Sequence, residues 1–182
     1  MTEDARERLQ ESTIESETVF AGRLVRLRVD RVALPGGGTA TREIVEHPGA
    51  VAAVALDGED VLLVRQWRHP AGEALLEVPA GTLEPGEEPE DTMLRELTEE
   101  IGRRAGRIEH LSDFYVAPGY SSELIRLYLA TELTPADGEA DADENIEVVR
   151  LPLAEALARC RSGELRDGKT VAALLLAAAR LA

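Results

Sequence analysis

Three glutamates lie within five residues of each other in this 182-residue chain. Glu96, Glu99 and Glu100 occur in a segment whose apolar residues recur at helical spacing. Like charges one helical turn apart repel each other, so the arrangement is unfavourable unless the charges are solvated or neutralised. Two interpretations are open: an acidic surface that faces solvent, or a set of oxygen ligands for a hard divalent cation such as Mg²⁺.

The segment around these glutamates is predicted to be a helix with defined ends. Pro89 suits the first helical position, and Gly102 offers a left-handed stop. Leu94, Leu97 and Ile101 form one apolar stripe, which places the three glutamates on the opposite side. A glycine-containing acidic loop precedes the helix, and this context favours the cation-binding interpretation.

The stretch from Gly81 to Arg103 resembles the Nudix box, a pattern of glycines, glutamates and one arginine at fixed spacing. Eight positions carry this resemblance: Gly81, Glu87, Arg95, Glu96, Leu97, Glu99, Glu100 and Gly102. Arg103 departs from the pattern, because an aliphatic residue is expected at this packing position. The resemblance implies a Nudix fold of the α+β class, with a mixed β-sheet sandwiched between helices and an N-terminal antiparallel β-strand subdomain.

Further segments are similar to the ADP-ribose pyrophosphatase branch of that family. They are Gly22–Leu24, Arg42–Val51, Val64–Arg68, Glu77–Gly81 and Val116–Tyr120. This resemblance implies metal-dependent hydrolysis of the diphosphate bond of ADP-ribose to AMP and ribose 5-phosphate. Mg²⁺ is the implied cofactor, with Mn²⁺ as a substitute. The implied assembly is a homodimer that exchanges its N-terminal strands.

The resemblance also implies roles for individual residues. The metal ligands are expected to be the carboxylates of Glu96, Glu99 and Glu100 with the Ala80 carbonyl. Glu144 is the expected general base, with Asp143 and Glu147 as alternatives. Arg95 and Glu87 complete the catalytic set, and Glu87 braces the loop against the helix. The substrate-binding residues are expected to be Arg23 and Leu24 near adenine, Arg42 and Glu43 from the partner chain, Arg68 at the diphosphate, and Glu84, Pro118 and Glu123.

The order of patterns along the chain predicts where the supporting elements lie. Residues 1–16 are predicted to be a flexible lead-in, 17–48 an N-terminal β subdomain for dimerisation and substrate contact, and 49–182 the hydrolase domain.

Two apolar runs, 50–56 and 61–64, are typical of central strands that are buried on both faces. Other strands are expected at 75–79, 108–116, 124–130 and 146–150, and helices at 153–159 and 170–181, the latter capped by Thr170. Trp67 is expected to pack beside a core strand rather than stack on a base. The acidic segment 132–143 is expected to be mobile.

Composition narrows the functional classes. A net charge of -15 argues against a nucleic-acid partner, because phosphate backbones are bound by basic patches. The longest apolar run, Val171–Ala179, is shorter than the roughly 20 residues that cross a bilayer, and the N-terminus is charged. We therefore expect no membrane partner and a cytoplasmic location.

Two alternatives to ADP-ribose hydrolysis stay open at the level of sequence. The same metal site could serve another nucleoside diphosphate sugar, such as GDP-mannose or ADP-glucose. A domain of this kind could instead bind its ligand without turning it over, although an intact set of box glutamates favours turnover.

Overall fold

The structure is a computed structural model that describes residues 8–138 and 145–182, and it divides into two compact units. The first unit extends to His47 and also contains Ala117–Glu123. The second unit comprises Pro48–Val116 and Leu124–Ala182. The chain therefore changes units close to the predicted boundary at residue 48, and returns once to the first unit through a loop that the sequence did not assign to it.

Three antiparallel strands form the first unit, in the order β1-β2-β3. They are β1 (Ser12–Ala21), β2 (Arg26–Ala33) and β3 (Thr39–Glu46). The loop Ala117–Glu123 joins them through the backbone of Val45. The Val45 N–H donates to the Tyr120 carbonyl at 2.7 Å, and the Ser122 N–H donates to the Val45 carbonyl at 3.0 Å.

Strand β1 begins inside the range that the sequence predicted to be a flexible lead-in. Ser12 to Ala21 pair with β2 along the whole length of both strands. All ten residues of β1 are exposed. A strand with no buried face does not need alternating apolar residues, so the two-residue period that reveals other strands is missing here.

A mixed seven-stranded sheet forms the centre of the second unit. Its main path is β10-β5-β4-β9-β8, with β6 paired to β5 and β7 paired to β4. Strands β4 and β9 are parallel, and the other pairs are antiparallel. The strands are β4 (Ala50–Asp57), β5 (Asp60–Arg68), β6 (Glu73–Glu77), β7 (Ala80–Thr82), β8 (Arg103–Tyr115), β9 (Leu124–Pro135) and β10 (Ile146–Pro152).

Helices cover both faces of this sheet. They are α1 (Pro89–Ile101), α2 (Leu153–Ser162) and α3 (Gly168–Leu181). Met93 and Leu97 of α1 pack on one face with Val51, whereas Ala156 of α2 and Leu174 of α3 pack on the other. Residues 50–56 of β4 are buried throughout, as predicted for a strand with two covered faces. The predicted α+β class, with a mixed sheet between helices, is confirmed.

Two predicted elements differ from the structure for local reasons. The strand predicted at 75–79 is two strands, β6 and β7, separated at Val78–Pro79, because proline has no N–H to continue a ladder. Strand β9 continues to Pro135, opposite Arg103 of β8, so the start of the acidic segment 132–143 is paired rather than mobile.

The N-terminal cap of α3 also differs from the prediction. Asp167 is the capping residue, and its carboxylate accepts from the Thr170 N–H at 3.0 Å. Thr170, which was predicted to cap the helix, is fully buried in its first turn.

Candidate functional site

Helix α1 has the ends that its sequence predicts. Pro89 occupies the first helical turn, and the C-terminal Gly102 has φ 60° and ψ 37°, the left-handed conformation in which glycine is not strained. The last turn carries no basic residue, so Glu96, Glu99 and Glu100 approach the negative end of the helix dipole. This placement raises the cost of crowding acids there and favours a cation beside them.

The buried face of α1 agrees with the predicted stripe at Leu97 and Ile101 and differs from it at two positions. Met93, Leu97 and Ile101 are buried, whereas Leu94 is only half-buried. Glu100 is 5% exposed and lies beside the apolar stripe, about 60° around the helix from Leu97 at about 100° per residue. The prediction that all three glutamates point away from the stripe is therefore wrong for Glu100.

Glu100 is directed at the backbone of β7. Its Oε2 accepts a hydrogen bond from the Ala80 N–H at 2.9 Å. Ala80 was predicted to supply its carbonyl to a metal, and the structure brings this residue and Glu100 together. A buried carboxylate needs such a partner, because an isolated buried charge is strongly unfavourable.

Gly81 of the same strand allows Glu96 to lie against the backbone. A Cβ atom at position 81 would overlap the Glu96 carboxylate. Any other residue would have to push that carboxylate away. The glycine that opens the box therefore has a physical function, which is to make room for one of the acids of the helix.

Arg95 contacts three acidic side chains, one in the loop before the helix and two on the helix itself. Its Nε and Nη2 donate to Glu87 at 3.2 and 3.3 Å, and its Nη1 lies 2.7 Å from Glu99 Oε2 and 3.0 Å from Glu96 Oε1. The hydrogen bonds from Arg95 hold the pKa of Glu87 below its ordinary value, and those to Glu87 raise the pKa of Arg95. Arg95 therefore connects Glu87 of the preceding loop to helix α1.

The donor chemistry of this cluster suits a hard cation. Glu96, Glu99 and Glu100 supply carboxylate oxygens on adjacent turns, next to the backbone of Ala80 and Gly81. Their side chains are directed at Arg95 and at a backbone N–H, and within residues 8–138 and 145–182 no three acidic, His or Cys side chains converge as a ready-made metal site. A hard cation at this position would find the oxygen donors that it prefers.

Arg68 stands at the end of β5 and is held by Glu77. Its Nε donates to Glu77 Oε1 at 2.7 Å and its Nη2 donates to Oε2 at 2.8 Å. The hydrogen bonds to Glu77 raise the pKa of Arg68, against the opposing effect of burial. The Arg68 side chain stays 41% exposed, so one edge of the guanidinium is accessible. The neighbouring Trp67 is 61% exposed, and the prediction that it packs beside the core is wrong.

Six of the predicted substrate-binding residues belong to the first unit. They are Arg23, Leu24, Arg42, Glu43, Pro118 and Glu123. Leu24 is 63% exposed in the connection between β1 and β2. Arg42 of β3 forms an ion pair with Glu11, and its Nε and Nη2 each donate to one oxygen of the carboxylate. These six residues therefore share one unit, which the sequence segments alone did not indicate for Pro118 and Glu123.

The remaining predicted residues have separate environments. Glu84 is exposed in the loop before α1, and its carbonyl accepts from the Glu87 N–H at 3.1 Å. Glu147, an alternative general base, pairs with Arg65 at 2.7 Å. The predicted base Glu144 and the alternative Asp143 lie outside the described residues.

A cleft of about 550 Å³ lies at the other end of α1. Asp91 of the first helical turn lines it, together with His110, Arg126 and Tyr128 of β8 and β9. None of the predicted site residues that the structure describes lines this cleft. The acid cluster at the C-terminal half of α1 is therefore a different feature.

The sequence interpretation missed a group of residues behind Arg68. Glu77 is 1% exposed, and both Lys169 and Arg68 contact its carboxylate. Two signals in the sequence pointed to this group. Glu77 interrupts an otherwise apolar stretch, and Lys169 is the only lysine among the 20 Lys and Arg residues of the chain.

Two family models match the chain and together span most of it. The NUDIX domain matches residues 46–174, and the nucleoside diphosphate sugar hydrolase N-terminal domain matches residues 11–45. The second match starts close to β1 and ends within β3.

Proteins with similar sequences match between 71% and 91% of this chain. The chain is 44% identical to the methanol dehydrogenase activator of Bacillus methanolicus and 43% identical to the ADP-ribose pyrophosphatase of Bacillus subtilis, in each case over 91% of both chains. It is 39% identical to the GDP-mannose pyrophosphatase of Citrobacter koseri, over 71% of this chain and 73% of that one. A crystal structure of an ADP compounds hydrolase superposes with a TM-score of 0.85 at 27% identity, covering 95% of each chain.

None of the helices that the structure describes combines the length and the apolar character that a membrane crossing needs.

Proposed function

The chain belongs to the NUDIX family, and we propose that it is a hydrolase that cleaves the diphosphate bond of ADP-ribose to give AMP and ribose 5-phosphate. The observation that carries this proposal is the 43% identity to an ADP-ribose pyrophosphatase over 91% of both chains. That similarity extends over both structural units, so it includes the segments predicted to recognise the nucleotide as well as the acid cluster.

The acids of α1 suit the chemistry of diphosphate cleavage. Nudix hydrolases generally need divalent metal ions, and we propose Mg²⁺ or Mn²⁺ held by Glu96, Glu99, Glu100 and the Ala80 carbonyl. A divalent cation neutralises phosphate charge and lowers the pKa of a bound water. Arg95 and Glu87 hold the loop and helix in register, and Gly81 leaves room for Glu96 beside β7.

Other groups of the chain would bind the substrate and accept a proton. The exposed edge of Arg68 is suited to a diphosphate oxygen, because a guanidinium pairs with phosphate through two parallel hydrogen bonds. Glu144 stays the predicted general base, with Asp143 and Glu147 as alternatives. Arg23, Leu24, Arg42, Glu43, Glu84, Pro118 and Glu123 stay predicted contacts of the nucleotide sugar.

We further propose that the chain forms a homodimer through its N-terminal strands. Strand β1 is exposed along all ten residues, and large apolar side chains lie uncovered on the first unit. They include Ile14, Val19 and Phe20, which are 47%, 49% and 56% exposed. Contiguous exposed apolar surface is typical of an interface. A monomeric mass by light scattering at micromolar concentration, together with full activity, would remove this part of the proposal.

The absence of a nucleic-acid partner and a cytoplasmic location stay predictions.

A substrate panel tests the proposed activity. With a divalent cation present, ADP-ribose is expected to give the highest kcat/KM among ADP-ribose, ADP-glucose and GDP-mannose, measured by phosphate release after coupling to a phosphatase. The similarity to GDP-mannose pyrophosphatases makes GDP-mannose the main alternative. A higher kcat/KM for GDP-mannose would replace the proposed substrate, and ligand binding without any product would indicate a binding domain.

A further inference from the structure

Four charged side chains form one network behind the accessible edge of Arg68. The Glu77 carboxylate receives Arg68 Nε at 2.7 Å and Arg68 Nη2 at 2.8 Å. Lys169 Nζ contacts the same carboxylate at Oε2 and lies 3.0 Å from Asp167 Oδ2. Two cations and two anions therefore contact each other within one network, which joins the ends of β5 and β6 to the start of α3. Glu100 adds a further electrostatic attraction on Arg68.

Burial makes the balance of this network important. The Glu77 side chain is 1% exposed and that of Lys169 is 14% exposed, whereas that of Arg68 is 41% exposed. A buried carboxylate is strongly unfavourable unless it is paired, so Glu77 holds both cations closely. Arg68 uses Nε and Nη2 for Glu77, and its Nη1 has no protein acceptor among the residues that the structure describes. A guanidinium has five N–H groups, so three of them remain available to an anion.

The same turn of α3 also fixes the backbone that leads to the acid cluster. The Val78 N–H donates to Thr170 Oγ1 at 2.8 Å, and Thr170 Oγ1 donates to Asp167 Oδ2 at 2.6 Å. Asp167 therefore holds both the Lys169 ammonium and the Thr170 hydroxyl. Glu77 is linked to α3 through its side chain, and Val78 is linked to α3 through its backbone N–H. Both residues lie just before Ala80 of β7.

We infer that Lys169 is a positioning residue for the diphosphate of the substrate, acting through Glu77 on Arg68. This inference rests on the proposed function, because it takes Arg68 as a diphosphate contact. By sharing Glu77, Lys169 offsets part of the negative charge that would otherwise neutralise the guanidinium. Arg68 stays fixed in orientation and keeps its net attraction for an anion at the Nη1 edge.

The chemistry of lysine suits this position. The two oxygens of Glu77 are already occupied by the planar fork of Arg68, and a compact ammonium can share one of them from the side. A second guanidinium could not form the two parallel hydrogen bonds of the bidentate geometry here, because both oxygens already accept from Arg68. The chain uses arginine for every other cationic side chain, and has its single lysine here.

Kinetics of Lys169→Met test the inference. KM for ADP-ribose is expected to rise about tenfold while kcat changes less than about threefold, because a ground-state contact is weakened rather than the chemical step. Lys169→Gln keeps a hydrogen-bond donor for Glu77 but lacks the charge, and its KM is expected to be raised as much as that of Lys169→Met. The matched control is Arg180→Met in the last turn of the same helix, whose partner is the Glu109 carboxylate, and its KM is expected to stay unchanged.

The Arg68→Gln background separates positioning from a general structural effect. If Lys169 acts through Arg68, then Lys169→Met adds no further increase in KM once Arg68 is absent. An equal increase in both backgrounds would overturn the inference, and so would an unchanged KM in the presence of Arg68.

Binding of inorganic diphosphate gives a readout that does not depend on turnover. The NMR signal of the Arg68 Nε–Hε group can be assigned because it is absent from Arg68→Gln. This signal is expected to shift when inorganic diphosphate is added. In Lys169→Met the same shift should need about tenfold more diphosphate. If this difference is found but no nucleotide sugar is cleaved, the proposed function fails and the positioning by Lys169 stands. If binding is equal in both proteins, the positioning fails whether or not ADP-ribose is cleaved.

Discussion

Glu100→Gln is expected to lower kcat for ADP-ribose by on the order of 10²–10³-fold, comparable to the loss of one preorganised electrostatic group in an active site. Glu100 is 5% exposed, and its carboxylate accepts a hydrogen bond from the Ala80 N–H at 2.9 Å. A glutamine at this position keeps an oxygen for that hydrogen bond but loses the negative charge that a cation requires. The melting temperature should therefore change by only a few degrees, about the effect of 1 kcal/mol or less.

A second substitution on the same helix provides the control. Glu90→Gln removes one negative charge from an exposed residue in the first turn of α1, and its kcat is expected to stay within about twofold of the wild type, as for most surface substitutions. Near-normal turnover by Glu100→Gln would contradict metal ligation by this residue. An equal loss in both variants would point to the overall charge of the helix rather than to the buried carboxylate.

Gly81→Ala is expected to lower kcat by about 10²-fold, because a displacement of about 1 Å in a reacting site has effects of that size. The added methyl group would overlap the Glu96 carboxylate, and this carboxylate is the mobile end of a side chain, so it moves while the backbone stays in place. The affinity for the divalent cation should fall together with kcat, which a metal titration of activity measures.

Gly36→Ala is the matched glycine control. A Cβ atom at position 36 meets no other atom within 4 Å, so the substitution should leave kcat and metal affinity unchanged. If Gly81→Ala instead unfolds the protein, its loss of activity would not report on Glu96. A folded Gly81→Ala protein with normal kcat would show that the position of Glu96 against β7 is not needed for turnover.

The sequence predicted those features that depend on local spacing. The ends of helix α1 follow from two residues. Pro89 has a restricted backbone that suits the first helical turn, and Gly102 can adopt the left-handed conformation that ends a helix. The apolar stripe between them indicates the helix itself. The continuous apolar run of β4 likewise predicted a strand with both faces covered. Such signals need no knowledge of the rest of the fold.

The features that the sequence did not predict depend on distant contacts. Glu100 was expected to face away from the core, and it is buried because β7 offers it a backbone N–H. In the network of Arg68, Glu77 and Lys169, the contact between Lys169 and Glu77 joins residues that are 92 positions apart. Periodicity within one element cannot reveal these pairs. Strand β1 was missed for the opposite reason, since a fully exposed strand leaves no alternation to detect.

Release of AMP from ADP-ribose, followed with and without a divalent cation, tests the central claim most directly. Purified protein treated with excess EDTA is expected to lose activity and to regain it when Mg²⁺ or Mn²⁺ is added in excess of the chelator. The Glu100→Gln protein should not regain it at the same cation concentration. Undiminished AMP release in EDTA from a well-folded sample would contradict the assignment of the α1 glutamates as ligands of a catalytic cation.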